Sequence, residues 1–120
     1  MATFGLEKKD DDELKKITDE IVSLIVNNGK LHIDKIILYG SYARGTADDE
    51  SDIDLMILCN DSREDIRGNK RELWRMADKV GYDHDILVQT TFEDRGFFEH
   101  WVDDMPFFRN VRDEGVVLYE

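Results

Sequence analysis

Apolar positions between residues 10 and 29 fall at Leu14, Ile17, Ile21, Leu24 and Ile25, the i, i+3, i+7, i+10, i+11 spacing of an amphipathic helix. The acidic run Asp10 to Glu13 opens it, and Asn27-Asn28-Gly29 supplies residues that tolerate left-handed dihedrals at its end. The pattern then changes period. "KIILYG", residues 35–40, is a short β-branched and aromatic run cut off by glycine, and 52–59 is a second apolar run; both predict strands.

Helical spacing returns between Asp61 and Val80, at Ile66, Leu73, Trp74, Ala77 and Val80, with Gly81 placed as a C-cap. Gly68 inside this stretch costs about 1 kcal/mol relative to alanine. "YDHDILVQT", residues 82–90, reads as a third strand, with Asp83, Asp85 and Leu87 on one face and His84, Ile86 and Val88 on the other. In "TTFED", Thr91 with Asp94 three residues later predicts the capped start of a short aromatic helix through Trp101. Pro106 opens a last helix over 106–114, Gly115 ends it, and "VVLYE" makes a final strand. The order αβ(loop)βαβααβ, without repeats or linkers, predicts one α/β domain over 1–120.

Composition narrows what such a domain can hold. The chain has 28 acidic and 16 basic residues, a net charge of -12. A surface that negative repels phosphodiester backbones and anionic membranes, so no broad nucleic-acid binding and no membrane association is expected. An anionic ligand would need a cation as escort. Cys59 is the lone cysteine, which excludes a disulfide framework, and its place at the end of an apolar run reads as a small buried hydrophobe. The first residues show no secretory pattern and no stretch is long and apolar enough to span a bilayer, so a cytoplasmic location is expected.

The candidate chemistry lies in "LYGSYARGTADDESDIDLMIL", residues 38–58. Gly40-Ser41 stands where a strand stops; a glycine there lets backbone N–H groups approach an anion, although a plain turn would look the same. Asp52 and Asp54, two apart on a strand, face one side about 7 Å apart at ~3.3 Å per residue. Two acids at the head of a core strand repel each other and resist desolvation unless a cation sits between them; alone, the pair reads equally as a solvated strand end. Asp85 also precedes an apolar run, and three carboxylates beside a Gly-Ser turn would suit one or two Mg²⁺ ions completed by substrate phosphates. Arg44 is either a phosphate ligand or the ion-pair partner of Asp48, Asp49 or Glu50. Ser51 fits a turn cap and His84 a core or interface histidine. The aromatics Phe97, Phe98, Trp101, Phe107 and Phe108 read mostly as core.

Gly40-Ser41-Tyr42-Ala43-Arg44-Gly45 followed by Ser51-Asp52-Ile53-Asp54-Leu55 resembles the G-S-x-A-R-G…S-D-x-D-L signature of the nucleotidyltransferase superfamily related to DNA polymerase β. In size the chain resembles the minimal nucleotidyltransferases (MNT), many of which are antitoxin partners of HEPN-domain toxins, and the ending "FFRNVRDEGVVLYE" is similar to family C-termini. The resemblance implies a polymerase β-like fold, a small mixed sheet flanked by helices. It implies that Gly40 and Ser41 contact a triphosphate, that Asp52 and Asp54 hold metals, and that Asp85 is the third carboxylate, with Asp83 as its rival.

The function implied is Mg²⁺-dependent transfer of AMP from ATP to a hydroxyl, often a tyrosine of a cognate HEPN toxin, with two ions expected and an oligomer with the toxin among the arrangements it allows. A chain this short lacks a second domain to hold an acceptor, which a partner protein would supply. Two other readings stay open: an antitoxin that neutralises its partner by binding alone, and nucleotidylation of a small molecule such as an aminoglycoside, which would require dimerisation across the cleft.

Overall fold

The computed structural model describes residues 7–120. Helix α1 (Asp11–Asn28) begins where the Asp10 carboxylate accepts from the Glu13 N–H and ends at Gly29, whose φ of 81° is left-handed. Strand β1 (Ile33–Tyr39) leads into the one-turn helix α2 (Ser41–Arg44), and β2 (Ile53–Cys59) follows after a loop. The rest of the chain forms α3 (Arg63–Asp83), β3 (Val88–Asp94), α4 (Arg95–Trp101), α5 (Pro106–Glu114) and β4 (Val116–Tyr119).

The four strands make one mixed sheet in the order β3-β2-β1-β4. β1 runs antiparallel to both β2 and β4, while β3 runs parallel to β2, as the intervening α3 crossover requires. Helices cover both faces. Ile53, Leu55 and Ile57 of β2 join Ile17, Ile21 and Ile25 of α1 and Leu73, Ala77 and Val80 of α3. Met56 and Leu58 point the other way, into a smaller cluster with Phe98, Phe108 and Val111 of α4 and α5. This double burial explains the unbroken apolar run of β2: a strand covered on both faces has no polar side to present. The predicted α/β architecture is observed, and no helix among the described residues is long and apolar enough to cross a membrane.

Three sequence expectations need correction, all around α3 and β3. Helix α3 does not stop at Gly81 but runs to Asp83, with His84 as its C-cap. Gly81 serves space instead: a Cβ there would lie 2.5 Å from the Ile86 carbonyl and 2.8 Å from Val88 Cγ2, so the residue lets the helix end pack against the chain entering β3. The third strand spans 88–94 rather than 82–90, which puts Asp83 on a helix and Asp85 in the connecting turn. Thr91 therefore lies within β3, and the cap of α4 is Asp94, whose carboxylate accepts from the Gly96 N–H at 2.8 Å.

Smaller assignments hold. Cys59 is fully buried, and burial with nearby Asp61, Asp94 and Glu93 pushes its thiol up to about 12. His84 reaches from the end of α3 to Glu20 on α1 at 3.2 Å, as an interface histidine would. Ser51 closes the turn before β2 by accepting from the Asp48 N–H at 2.9 Å. Phe98 and Phe108 are core, whereas Trp101 and Phe107 remain substantially exposed.

Candidate active site

Gly40 breaks β1 with φ 80° and ψ -159°, a conformation that is essentially glycine's alone. The break turns the chain into α2, which Tyr42 anchors by burying its ring and accepting from the Lys9 N–H at 3.0 Å. The first-turn amides of a helix have no intrahelical partners, so those after Gly40 are available to an anion. Directly beside this turn stands Asp54. A methyl group at Gly40 would collide with Asp54 Oδ2, so glycine is needed twice, for its dihedrals and for the closeness of its backbone to a carboxylate.

Asp54 occupies the second position of β2, on the face shared with Met56 and Leu58 but beyond the cover of α4 and α5. It is half-buried, and burial first, then the charge of Asp52, holds its carboxyl above the ordinary carboxylate range, while Arg44 opposes the shift. Asp52 lies just ahead of β2 on the same face, and its Oδ2 accepts from Gln89 Nε2 at 2.8 Å. Arg44 is exposed and its closest carboxylate is Glu114, at 3.6 Å, rather than Asp48, Asp49 or Glu50.

Asp85 is placed differently. It sits in the exposed turn before β3, the one non-glycine residue among those described with a left-handed φ, at 56°. It lines, with Asp49, Asp52 and Leu87, a pocket of about 260 Å³ at the mouth of the sheet. Among the described residues, no group of three His, Cys, Asp or Glu side chains is close enough to hold a metal ion between them. The structure thus gathers Gly40, Ser41, Asp52 and Asp54 and sets Asp85 on the lining of a pocket that it shares with Asp52. Asp83, on α3, pairs with Lys79 at 3.0 Å and points to no shared site.

Two residues at this site escaped the sequence reading. Gln89 is the register partner of Asp54 on β3 and fastens Asp52; a polar residue interrupting "ILVQT" was its only signal. Tyr39 pairs with Asp54 across β1 and β2, packs edge-on against Phe107 with centroids 5.5 Å apart, and approaches Thr91 through its hydroxyl at 3.5 Å. Burial raises the Tyr39 pKa, with Asp54 adding to the rise against the Thr91 hydrogen bond.

The donor set fits a hard divalent cation. Mg²⁺ is commonly bound by one or two carboxylates plus substrate phosphates, which two same-face aspartates beside a phosphate-accessible turn provide. A cation would also offset the burial and the Asp52 charge that together lift Asp54.

Comparison with known proteins identifies the family. Residues 12–108 match the nucleotidyltransferase domain. A candidate protein adenylyltransferase of Methanocaldococcus jannaschii is 30% identical over 105 residues, covering 88% of this chain and 97% of its own length. A second one from the same organism is 29% identical over 93 residues, covering 78% and 92%. The crystal structure of a candidate nucleotidyltransferase from Sulfolobus solfataricus aligns with 88% of this chain and 79% of its own at a TM-score of 0.56 and 21% identity, which speaks to the fold. A toxin–antitoxin structure with AMP-PNP covers 82% of the chain at a TM-score of 0.49, too slight a likeness to add to it. With the domain matched across most of its length and the Gly-Ser turn and acid pair assembled at one end of its sheet, the chain belongs to the nucleotidyltransferase domain family and is a nucleotidyltransferase.

Proposed function

We propose that the protein transfers AMP from ATP to a hydroxyl of a partner protein, a tyrosine of a cognate HEPN-domain toxin, and so acts as the antitoxin of the pair. The observation that carries this reading is the contact of the Gly40 backbone with Asp54, which joins a phosphate-accessible turn to a carboxylate pair in one rigid unit. Support for a protein acceptor comes from the relatives named as candidate protein adenylyltransferases. Leu87, 64% exposed, lines the pocket with Asp85 and offers apolar surface to a protein rather than to water.

In this reading the amides after Gly40, the Ser41 hydroxyl and the Arg44 guanidinium hold the phosphate oxygens and orient the chain of phosphates. Asp52 and Asp54 would hold Mg²⁺, which supplies neutralisation of the triphosphate charge when bound. Gln89 keeps Asp52 turned toward the site. Asp85 receives the acceptor hydroxyl proton as the acceptor oxygen bonds to the α-phosphorus and the bond from that phosphorus to the bridging oxygen breaks, releasing pyrophosphate. The test is direct: labelled ATP and Mg²⁺ incubated with this protein and the product of its neighbouring gene should label the neighbour. An unlabelled neighbour with the wild-type protein would reject the proposal.

A further inference from the structure

On the far edge of the sheet, a groove of about 530 Å³ lies between α3 and the unpaired side of β3, lined by Arg67, Lys70, Arg71, Trp74, Thr90 and Phe92 among others. The four α3 residues are spaced i, i+3, i+4 and i+7, so they form one stripe along the helix. In a chain with 28 acids against 16 bases, Arg67, Lys70 and Arg71 form a contiguous basic stripe and make no ion pair among the described residues. Three carboxylates of the surrounding elements are engaged elsewhere. Glu72 pairs with Lys30 at 2.6 Å, Glu93 with Arg63 at 3.2 Å, and Asp94 caps α4. The Thr90 hydroxyl, buried at the groove wall, has no hydrogen-bond partner among the described residues. Trp74 leaves 44% of its surface exposed beside the three cations.

We infer that this groove is a second nucleotide site, distinct from the Asp52–Asp54 site and independent of metal. Three cations in a row suit the oxygens of a phosphate chain, and the exposed indole offers a face on which a base can stack. The volume lies in the range of small-molecule sites. A compact ligand meets only the basic stripe, whereas a nucleic-acid strand running beyond it would meet the acidic remainder of the surface. The lining holds no carboxylate, so phosphate can be bound there without a bridging cation.

The experiment uses the Asp52→Asn/Asp54→Asn variant in EDTA, which removes the metal and the carboxylates of the first site, titrated with ATP by calorimetry and tryptophan fluorescence. One ATP should bind per chain with quenching of Trp74, and Arg67→Glu/Lys70→Glu/Arg71→Glu in that background should weaken binding by roughly tenfold or more. Far-UV circular dichroism checks that the charge-reversed helix is intact; if it is not, Trp74→Leu alone decides, through loss of the quench and of affinity. Absence of binding in EDTA, or binding indifferent to these substitutions, would overturn the inference. So would a glutamate-rich decapeptide that binds the groove where ATP does not.

Discussion

The two walls of the candidate active site are built to different standards. The wall made by β1, α2 and β2 is over-determined: Gly40 in a glycine-only conformation abuts Asp54, Tyr39 and Asp54 are cross-strand partners, and Tyr42 pins the intervening turn. The wall made by the turn into β3 is spare, with Asp85 exposed in a left-handed turn and Leu87 turned to solvent. The difference matches the proposed roles. In the proposed reaction triphosphate and metal would need fixed geometry, which the first wall supplies from its own packing, while the second wall would be completed by the acceptor protein.

Breaking the first wall should have the largest effect. Asp54→Asn removes a proposed metal ligand and should lower AMP transfer by on the order of 10³-fold or more. Stability should move the other way. The Asp54 carboxyl titrates above its ordinary value of 3.8 in the folded chain. Below that value both states are protonated and the charge costs nothing; as pH rises through the folded value, ionisation penalises the folded state and the penalty persists. The variant should therefore gain stability over wild type at pH 7, with the gain vanishing in acid, as denaturant titrations at a series of pH values will read. A variant that is inactive but less stable at neutral pH would contradict this placement of Asp54.

Gly40→Ala attacks the same wall through its backbone. The positive φ and the collision with Asp54 Oδ2 should cost about 1–3 kcal/mol in chemical denaturation and abolish nucleotide transfer. Part of that cost should return in Gly40→Ala/Asp54→Ala, where the colliding carboxylate is gone. On the second wall the effect should be smaller and purely kinetic. Asp85→Asn should slow transfer roughly hundredfold, in keeping with loss of a general base, while leaving the melting temperature unchanged. Asp83→Asn, on α3, should do neither, and a reversed ranking would move the third acid off Asp85. The mildest change lies outside both walls. A methyl group added at Gly68 on α3 would meet nothing within 4 Å, so Gly68→Ala should stabilise the helix by about 0.5–1 kcal/mol in thermal or chemical denaturation and leave transfer untouched.

The same division governed what could be read from sequence. The first wall was legible because its chemistry is local: Gly40 and Gly45 punctuate the turn, and Asp52 and Asp54 stand out against Leu55 to Leu58. Helix α1, ended by Gly29, and α5, framed by Pro106 and Gly115, follow local rules as well. The α3–β3 junction does not. There β3 is set by pairing with β2, from Ile53 opposite Val88 to Cys59 opposite Asp94, and periodicity within "YDHDILVQT" carries no trace of where that partner begins. Gly81 misled because a glycine near a helix end resembles a cap, whereas its purpose here is clearance for Ile86 and Val88. Gln89 and Tyr39 were hidden for the related reason that each acts only through its cross-strand neighbour.

The central claim, that the Gly40–Asp54 wall serves AMP transfer to a protein hydroxyl, is tested most directly by intact-protein mass spectrometry of the neighbouring gene's product after incubation with ATP and Mg²⁺. That protein should gain one or more AMP units, localised to a tyrosine, with wild-type enzyme and none with Asp54→Asn. An unmodified partner, or modification that survives Asp54→Asn, would contradict the claim.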